Sequence, residues 1–186
     1  MKLIEWQEFL ENDLSIGDKL TSMTVGIFDG VHRGHQILIK QIVSGEQIPV
    51  IVTFRQNHKI DSENTGTIQT FEQKLEMFRK LGVQITIVID FTDEFKKLPG
   101  IEFLKLLLKH GNIGFFAVGS DFKCGHKQDT DAEVIKKFFT GFDIPVEIIP
   151  QVMEDSLPIS SSRIRNAISE GNLQLAQVML GHQTFP

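Results

Sequence analysis

The chain lacks several features that would mark it as secreted or membrane-bound. Cys124 is the only cysteine among its 186 residues, so no intramolecular disulfide can form, and a reducing cytoplasm is the expected location. No apolar run approaches the ~20 residues of a transmembrane helix. The N-terminal stretch MKLIEWQEFLEND carries acidic residues and no long apolar segment, which is not typical of a secretory signal. The sequence therefore predicts a cytoplasmic protein with no membrane partner.

Positive charge is also scarce. The chain has 19 Lys and Arg residues against 24 Asp and Glu residues, which gives a net charge of −5. This acidic balance disfavours broad electrostatic binding to nucleic acid, although it leaves room for a local positive pocket that takes phosphates. We therefore expect small-molecule substrates and no nucleic-acid partner. The length suits one domain, and no linker or repeat divides the chain, so residues 1–186 are expected to form that single domain.

Short apolar runs alternate with amphipathic stretches along the chain. The apolar runs are continuous, as expected for strands that are covered on both faces. With right-handed crossovers they predict a doubly wound, five-stranded parallel α/β sheet with a Rossmann-like arrangement, whose ligands bind beyond the carboxyl ends of the strands. Strands are predicted over residues 23–28, 48–54, 84–90, 113–118 and 146–150, and helices over 35–43, 71–81, 101–110, 131–140, 162–170 and 173–180. The predicted core residues are Val25, Ile27, Val50, Val52, Ile87, Val88, Phe116 and Val118.

The densest motif is GIFDGVHRGH, residues 26–35, between the first predicted strand and the first helix. Glycines allow a ligand to approach the backbone, and a helix N-terminus offers unpaired N–H groups and partial positive charge that suit phosphate. His32 and His35 are three apart, so on a helical turn they share a face, and neutral or protonated imidazoles could donate hydrogen bonds to phosphate oxygens. The alternatives are ordinary turn residues or zinc ligands. Zinc is disfavoured because further ligands are needed and the chain's one thiol is distant in sequence.

A second motif, PISSSRIR, spans residues 158–165 and precedes a helical stretch. Serine is a common N-cap, so the simplest interpretation is a helix start. The alternative is a second anion cradle, because hydroxyls, free N–H groups and arginines together bind phosphate well. Arg163 and Arg165 are two apart and cannot share one helix face. One is expected to point to the site and the other to solvent.

A third motif, VGSDFKCGHK, follows the fourth predicted strand at residues 118–127. Asp121 could hold a nucleotide hydroxyl or base, or form an ordinary Asx-turn. His126 and Lys127 add polar reach, whereas Cys124 is expected to be a small buried residue rather than a reactive thiol. The polar stretch over residues 56–67 has two interpretations, a solvated loop or a mobile flap beside the site.

These three motifs together resemble a known family. GIFDGVHRGH resembles the FDGVHxGH signature of the HxGH nucleotidyltransferase superfamily, PISSSRIR resembles its ISSTxIR signature, and VGSDFKCG resembles the VGxDFxFG segment of the bacterial FAD synthetases. The order and spacing agree over nearly the whole chain. The resemblance implies transfer of AMP from ATP to flavin mononucleotide (FMN), which yields FAD and pyrophosphate, with Mg²⁺ accompanying ATP. Bifunctional members continue into a riboflavin kinase domain, and no such activity is expected of this chain.

The resemblance also implies roles for individual residues. His32, His35 and Arg165 match the catalytic positions, and Arg163 falls on a variable position. The positions that match the ATP and phosphate site are Gly26, Phe28, Asp29, Gly30, Gly34, Ser160, Ser161 and Ser162. The candidate nucleotide or flavin contacts are Phe54, Arg55 and Asp121.

The chain departs from the family pattern beside the second predicted strand. TFRQNHK, residues 53–59, stands where the family has TFxPHP, and Ser120 and Cys124 replace the usual Glu and Phe of the third segment. The first of these regions is associated with the flavin side of the pocket. Two alternatives therefore stay open: the same chemistry on another phosphorylated acceptor, or a nucleotide- or flavin-binding protein without catalysis.

Overall fold

The computed structural model describes residues 1–14, 16–55 and 66–183. Within these residues the central sheet consists of six parallel strands, which are β1 (Lys2–Glu5), β2 (Thr21–Val25), β3 (Ile48–Phe54), β4 (Ile85–Ile89), β5 (Ile113–Gly119) and β8 (Val146–Ile149). Their spatial order is β1-β4-β3-β2-β5-β8. The order reverses at β2, and such a switch point is where open α/β sheets bind ligands.

Helices and two short ribbons complete the described part of the chain. The helices are α1 (Trp6–Asn12), α2 (Arg33–Val43), α3 (Phe71–Lys80), α4 (Gly100–His110), α5 (Ala132–Thr140), α6 (Ser161–Ser169) and α7 (Leu173–Leu180). The antiparallel ribbons pair β6 (Lys123–Cys124) with β7 (Thr130–Asp131) and β9 (Met153–Glu154) with β10 (Leu157–Pro158). Among the helices of these described residues, none combines the length and the apolar character that a membrane span requires.

The helices cover the sheet on both faces, which confirms the predicted doubly wound arrangement. One core cluster packs α1, α4 and α5 against one face, with Phe9, Leu104 and Phe139 fully buried. A second cluster packs α2 and α3 against the other face through Ile39 and Phe78. A smaller third cluster joins α6 to α7. Seven of the eight predicted core residues are buried, and the exception, Ile27, is half-buried beside the candidate site.

The prediction of five strands was wrong by one, because it omitted β1. In the stretch KLIE only Ile4 is buried, so the sequence carries no apolar run there. β1 is a strand because it pairs along β4, from Lys2 opposite Ile85 to Glu5 opposite Val88. An edge strand of this kind is stabilised by a tertiary partner rather than by local propensity.

The first predicted strand also ends earlier than expected. β2 stops at Val25, one further bond joins Gly26 N–H to the Val52 carbonyl, and residues 27–28 then leave the sheet instead of extending the strand. Phe28 has the left-handed φ of 56°, and residues 29–31 form a 3₁₀ turn, so the chain bends sharply before α2. This early exit opens the space beyond the carboxyl ends of the central strands.

Candidate active site

A cavity of about 450 Å³ lies beyond the carboxyl ends of β2, β3, β5 and β8. All three motifs identified in the sequence contribute to its lining. The predicted site residues that line it are Gly26, Phe28, Asp29, His32, Gly34, His35, Phe54, Asp121, Ser160, Ser161, Ser162 and Arg165. The topology therefore brings together segments that are more than a hundred residues apart in sequence.

His32 and His35 form a stacked pair at the start of α2. His32 is the N-cap of this helix, and its Nδ1 accepts a hydrogen bond from the backbone N–H of His35 at 3.4 Å. The two ring centroids are 3.5 Å apart with an interplanar angle of 17°. The edge of Phe28 packs against the His35 ring at 5.1 Å between centroids. Because Nδ1 of His32 is an acceptor, its neutral ring carries the proton on Nε2.

Both imidazoles are uncharged at neutral pH in the free protein. Burial lowers the pKa of His32 to about 4, although the nearby Asp121 carboxylate acts in the opposite direction. Burial lowers the pKa of His35 well below its usual range, and His32 and Lys74 lower it further. Of the two protonation states considered from the sequence, the structure therefore supports the neutral one. Neutral rings can still donate one hydrogen bond each to an anion.

Arg165 forms a buried ion pair with Asp29. Its Nη1 donates to Oδ2 of Asp29 at 2.7 Å, and both side chains are at most 10% exposed. Oδ1 of Asp29 accepts from the backbone N–H of Ile68 at 3.2 Å, and Ser161 Oγ donates to the Asp29 carbonyl at 2.9 Å. Burial raises the pKa of Asp29 above its usual value, and Arg165 acts in the opposite direction. These contacts lock the serine-arginine motif onto the histidine motif.

The three serines lie at the N-terminus of α6, and all three line the cavity. Ser160 is the N-cap, and its Oγ accepts from the backbone N–H of Arg163 at 3.2 Å. Ser162 Oγ accepts from Arg165 Nη2 at 3.1 Å. The helix-start and anion-cradle interpretations are therefore compatible, because a capped N-terminus still carries partial positive charge.

The expectation that one arginine points to solvent was wrong for Arg163. Its Nη1 donates to the carbonyls of Glu154 and Leu157 at 2.9 and 3.0 Å. The guanidinium thus holds both sides of the turn that joins β9 to β10. Arg165 faces the cavity, as the spacing argument allowed.

Gly30 and Arg55 are described residues that do not line the cavity. Gly30 has a φ of +80°, and a Cβ at this position would lie 3.1 Å from the side chains of Ile68 and Leu180. Gly30 therefore allows the tight turn and the close packing of Ile68 and Leu180 against it. Arg55 pairs with Glu5 at 2.7 Å and with Asp90 at 3.0 Å on the protein surface.

Of the three polar side chains singled out in the third motif, only Asp121 lines the cavity. Asp121 lines it and accepts from Gln151 Nε2 at 3.0 Å. His126 instead contacts the carbonyl of Lys96 at 3.1 Å and, like Lys127, is not a lining residue. Burial raises the pKa of the Cys124 thiol to about 12, which agrees with a residue that packs and does not react, although it is only partly buried.

The sequence reasoning missed two features of the site. The first is an aromatic wall of the cavity, of which the sequence singled out only Phe54; it consists of Phe54, Phe91, Phe95, Phe103 and Phe122. Most of these rings pack with the core cluster of α1, α4 and α5, on the sheet face away from α2 and its histidines. The second is Lys74, whose Nζ donates to the carbonyls of Ile27 and Phe54 behind the cavity. A signal for Lys74 was available, because it lies on the apolar face of α3 beside Phe71 and Phe78.

The interpretation of residues 56–67 as a flap lies largely outside the described residues, as does the departing part of TFRQNHK beyond Arg55. Among the residues that the structure describes, no cluster of three or more His, Cys, Asp or Glu side chains could hold a metal ion.

Comparison with known proteins agrees with this site. The family model for FAD synthetase matches residues 16–163. The chain is 29% identical over 168 residues to the bifunctional riboflavin kinase/FMN adenylyltransferase of Escherichia coli (strain K12), covering 86% of this chain and 54% of that protein. It is 29% identical over 170 residues to the FAD synthetase of Listeria monocytogenes, covering 88% of this chain and 69% of that protein. The chain thus spans about half the length of its bifunctional relatives.

Comparison with solved structures supports the fold. A macrolide-efflux protein from Streptococcus pneumoniae has a TM-score of 0.83 at 27% identity, covering 98% of this chain and 60% of that one. A pantoate-beta-alanine ligase from Francisella tularensis has a TM-score of 0.60 at 18% identity, covering 97% of this chain and 85% of that one, and it shows the fold alone. On the family match over residues 16–163, the chain belongs to the FAD synthetase family.

Proposed function

We propose that this chain is an FMN adenylyltransferase that transfers AMP from ATP to FMN and releases FAD and pyrophosphate. The observation that carries the proposal is one cavity with two unlike walls. His32, His35 and Arg165 line it at the start of α2 and on α6, and the phenylalanines that line it belong mainly to the core cluster on the sheet face away from α2. A polyphosphate and a flat aromatic ring would each find a matching surface there.

The phosphate side is built to neutralise negative charge. The N-termini of α2 and α6 both face the cavity, and helix N-termini favour anions. His32 and His35 supply neutral N–H donors, and Arg165 supplies the positive charge. Gly34 keeps the backbone close to the rings, since a Cβ there would lie 3.3 Å from His32. We assign the ATP phosphates to this half, with Gly26, Phe28 and the three serines around them.

Asp29 is better suited to positioning than to phosphate contact. Its carboxylate oxygens already accept hydrogen bonds from Arg165 and Ile68, and a carboxylate repels phosphate. We therefore propose that Asp29 holds the Arg165 guanidinium at the edge of the cavity. The backbone carbonyl of Asp29 also anchors Ser161, which keeps both phosphate motifs in register.

The chemistry requires positioning and charge neutralisation rather than a general base. A phosphate oxygen of FMN is already ionised at neutral pH and can attack the α-phosphorus of ATP in line. The new P–O bond forms as the bond to pyrophosphate breaks, and negative charge develops on the pyrophosphate. Preorganised hydrogen-bond donors stabilise that developing charge, and the loss of one donor lowers the rate by about 10²–10³.

Mg²⁺ would enter with ATP and would lower the charge repulsion at its phosphates. The donor set fits this, because Mg²⁺ keeps several water ligands and needs few protein carboxylates. Among the described lining residues, Asp121 is a carboxylate with one oxygen bonded to Gln151. We propose Asp121 as a contact for the nucleotide or its hydrated cation.

The aromatic wall favours a flat acceptor. Phe54 and Phe95 meet edge to face at 5.8 Å between centroids, which leaves a largely apolar surface. FMN is the acceptor that the family membership supports, and nicotinamide mononucleotide is the alternative that such a wall would also accommodate. We further propose that the chain acts as a single domain in the cytoplasm, without nucleic acid or a membrane, on the strength of its charge balance and its single cysteine.

The test is direct. The purified chain is mixed with ATP, Mg²⁺ and FMN, and FAD is followed by chromatography, with riboflavin and nicotinamide mononucleotide in parallel reactions. FAD from FMN, and no FMN or FAD from riboflavin, is the expected result. A folded chain that binds ATP but adenylylates only nicotinamide mononucleotide would overturn the flavin assignment. If the folded chain adenylylates none of the three, the transferase proposal fails.

A further inference from the structure

Lys74 is a buried lysine in the first turns of α3, and it is 6% exposed. Its Nζ donates to the carbonyl of Phe54 at 2.7 Å and to the carbonyl of Ile27 at 3.1 Å. These carbonyls belong to different walls of the cavity. Ile27 leads into the histidine loop, and Phe54 belongs to the aromatic wall. One ammonium group therefore bridges both halves of the site.

The bridge lies where two neighbouring strands separate. The backbone N–H of Gly26 still donates to the carbonyl of Val52 at 3.1 Å, which continues the pairing of β2 with β3. One residue later the Ile27 carbonyl accepts from Lys74 and, at 3.3 Å, from Thr53 Oγ1. A buried carbonyl without a donor is costly, so the strands can part here only if side chains replace the missing ladder bonds.

The loop that Lys74 holds is conformationally strained. Phe28 and Val31 have φ values of 56° and 39°, which is the left-handed region that non-glycine and especially β-branched residues avoid. The carbonyl of Phe28 accepts from Gln69 Nε2 at 3.0 Å, just before α3. Strained conformations persist only where the surroundings hold them in place. The start of α3 supplies two of these restraints.

We propose that Lys74 is a positioning residue that fixes the phosphate half of the site relative to the aromatic half, so that the acceptor phosphate meets the α-phosphorus in line. The inference rests on the proposed adenylyl transfer. It predicts that loss of the bridge lowers turnover more than it weakens the binding of either substrate, because each half keeps its own contacts while their relative placement is lost.

The electrostatic surroundings of Lys74 are consistent with a bridge made by N–H donors. Burial lowers the pKa of Lys74 to about 8, and the carboxylate of Asp29 acts in the opposite direction. The ring of Phe71 lies 5.2 Å from Nζ, and the positive charge contributes to the lowered pKa of His35. A neutral amine retains two N–H donors, which is the number that the two carbonyls need.

The kinetic test compares three variants. Lys74→Met removes the donors at similar length, Lys74→Arg keeps donors on a bulkier group, and Lys80→Met is the control on an exposed part of the same helix. For Lys74→Met we expect kcat to fall by about 10- to 100-fold while KM for ATP and FMN stays within about threefold. Lys74→Arg should retain more activity than Lys74→Met. If Lys74 merely fills space, the bulkier Arg would be the worse of the two, and that order would overturn the inference.

A second measurement separates this inference from the proposed function. Amide hydrogen exchange is measured on the wild type, Lys74→Met and Lys80→Met without substrates. We expect faster exchange in Lys74→Met over residues 26–31 and 53–55 together, and no change there in Lys80→Met. Wild-type-like exchange in both segments would overturn the bridge even if FAD is formed.

If the wild type forms no FAD, the proposed function fails, while the exchange measurement still decides whether Lys74 forms the bridge. Should Lys74→Met not fold, Thr53→Val removes the second donor to Ile27, and the same two readouts should shift less but in the same direction.

Discussion

The two halves of the cavity are stabilised in different ways. The phosphate half is held by directed polar contacts between distant segments, such as the 2.7 Å ion pair of Asp29 with Arg165. The aromatic half is held by ring packing, such as the contacts of Phe95 with Phe54 and Phe103 at 5.8 and 5.7 Å. Hydrogen bonds weaken steeply when their geometry changes, whereas aromatic pairs are favourable over a range of centroid distances. We therefore expect substitutions in the first half to affect rate and stability strongly, and substitutions in the second to affect acceptor affinity modestly.

The largest expected effect comes from breaking the histidine pair. His35→Ala removes one N–H donor and the stacking partner of His32. We expect kcat to fall by about 10²–10³ because a preorganised donor to the transition state is lost, while FMN affinity stays nearly unchanged. Steady-state kinetics and flavin fluorescence quenching measure the two quantities. Unchanged turnover in a well-folded His35→Ala protein would contradict the assignment of the phosphate half.

The next effect concerns stability. Asp29→Asn leaves the Arg165 guanidinium without its buried counter-ion, and an uncompensated buried charge costs about 3 kcal/mol in the free energy of unfolding. The control is Arg33→Met, which breaks the more exposed pair with Glu154 and should cost at most ~1 kcal/mol. Urea unfolding at pH 7 measures both. Equal losses in the two variants would show that the Asp29–Arg165 pair is not specially buried.

A third effect depends on pH. The pKa of His32 is about 4 in the folded protein against an ordinary value of 6.5 in the unfolded chain, so the unfolded chain binds more protons between these values. Stability should therefore fall as pH drops from about 6.5 toward 4, by about 2 kcal/mol at pH 5 from this residue. The raised pKa of Asp29 acts in the opposite sense, because burial makes its folded carboxyl group take up a proton more readily than the unfolded one. Urea unfolding of wild type and His32→Gln at pH 7 and 5 checks this, since the variant should lose part of the pH dependence.

The sequence was most informative where local pattern and function coincide. The histidine loop and the serine-arginine segment have the residue types and the strand-to-helix placement that an anion site needs, and the structure brings His32 and Arg165 to one cavity. β3 and β4 were found because they are apolar runs that are buried along nearly their whole length. The edge strand β1 was missed because pairing with β4 stabilises a stretch in which only Ile4 is buried.

Residues that act through long-range contacts could not be predicted from spacing. Arg163 holds carbonyls of a ribbon that forms only in the folded chain. The position of Lys74 on the apolar face of α3 signalled its burial, but nothing local to α3 specifies the two carbonyls that it contacts. The aromatic wall joins Phe54 at the end of β3 to Phe122 after β5, and of its five rings the sequence singled out only Phe54 among 15 phenylalanines. The periodicity of a sequence predicts which face of a single helix or strand is buried. These contacts depend instead on how separate helices and strands pack against one another.

The aromatic half should respond more gently than the phosphate half. Phe54→Leu keeps an apolar side chain but removes a ring that meets Phe91 and Phe95. Aromatic pairs contribute about 0.5–1.5 kcal/mol beyond area burial, so KM for FMN should rise by roughly 3- to 10-fold with KM for ATP unchanged. Steady-state kinetics with each substrate varied separately gives both values. A larger rise for ATP than for FMN would mean that the two halves are assigned the wrong way round.

The smallest effect on stability and on KM should come from substitution of Arg55, which tests where the aromatic half of the cavity ends. The family resemblance placed Arg55 among the candidate contacts, because it lies in the segment TFRQNHK, whose family counterpart is associated with the flavin side of the pocket. In the fold its guanidinium turns to Glu5 and Asp90 on the surface, next to β1 and β4. Exposed pairs contribute little, so Arg55→Met should change the free energy of unfolding by less than ~1 kcal/mol and KM for FMN by less than about twofold. KM for FMN in Arg55→Met is compared with KM for FMN in Phe54→Leu. The two residues are adjacent in sequence, so a difference between the variants reflects that Phe54 faces the cavity and Arg55 does not. A tenfold rise in KM for Arg55→Met would instead require the guanidinium to leave its carboxylates and contact the flavin.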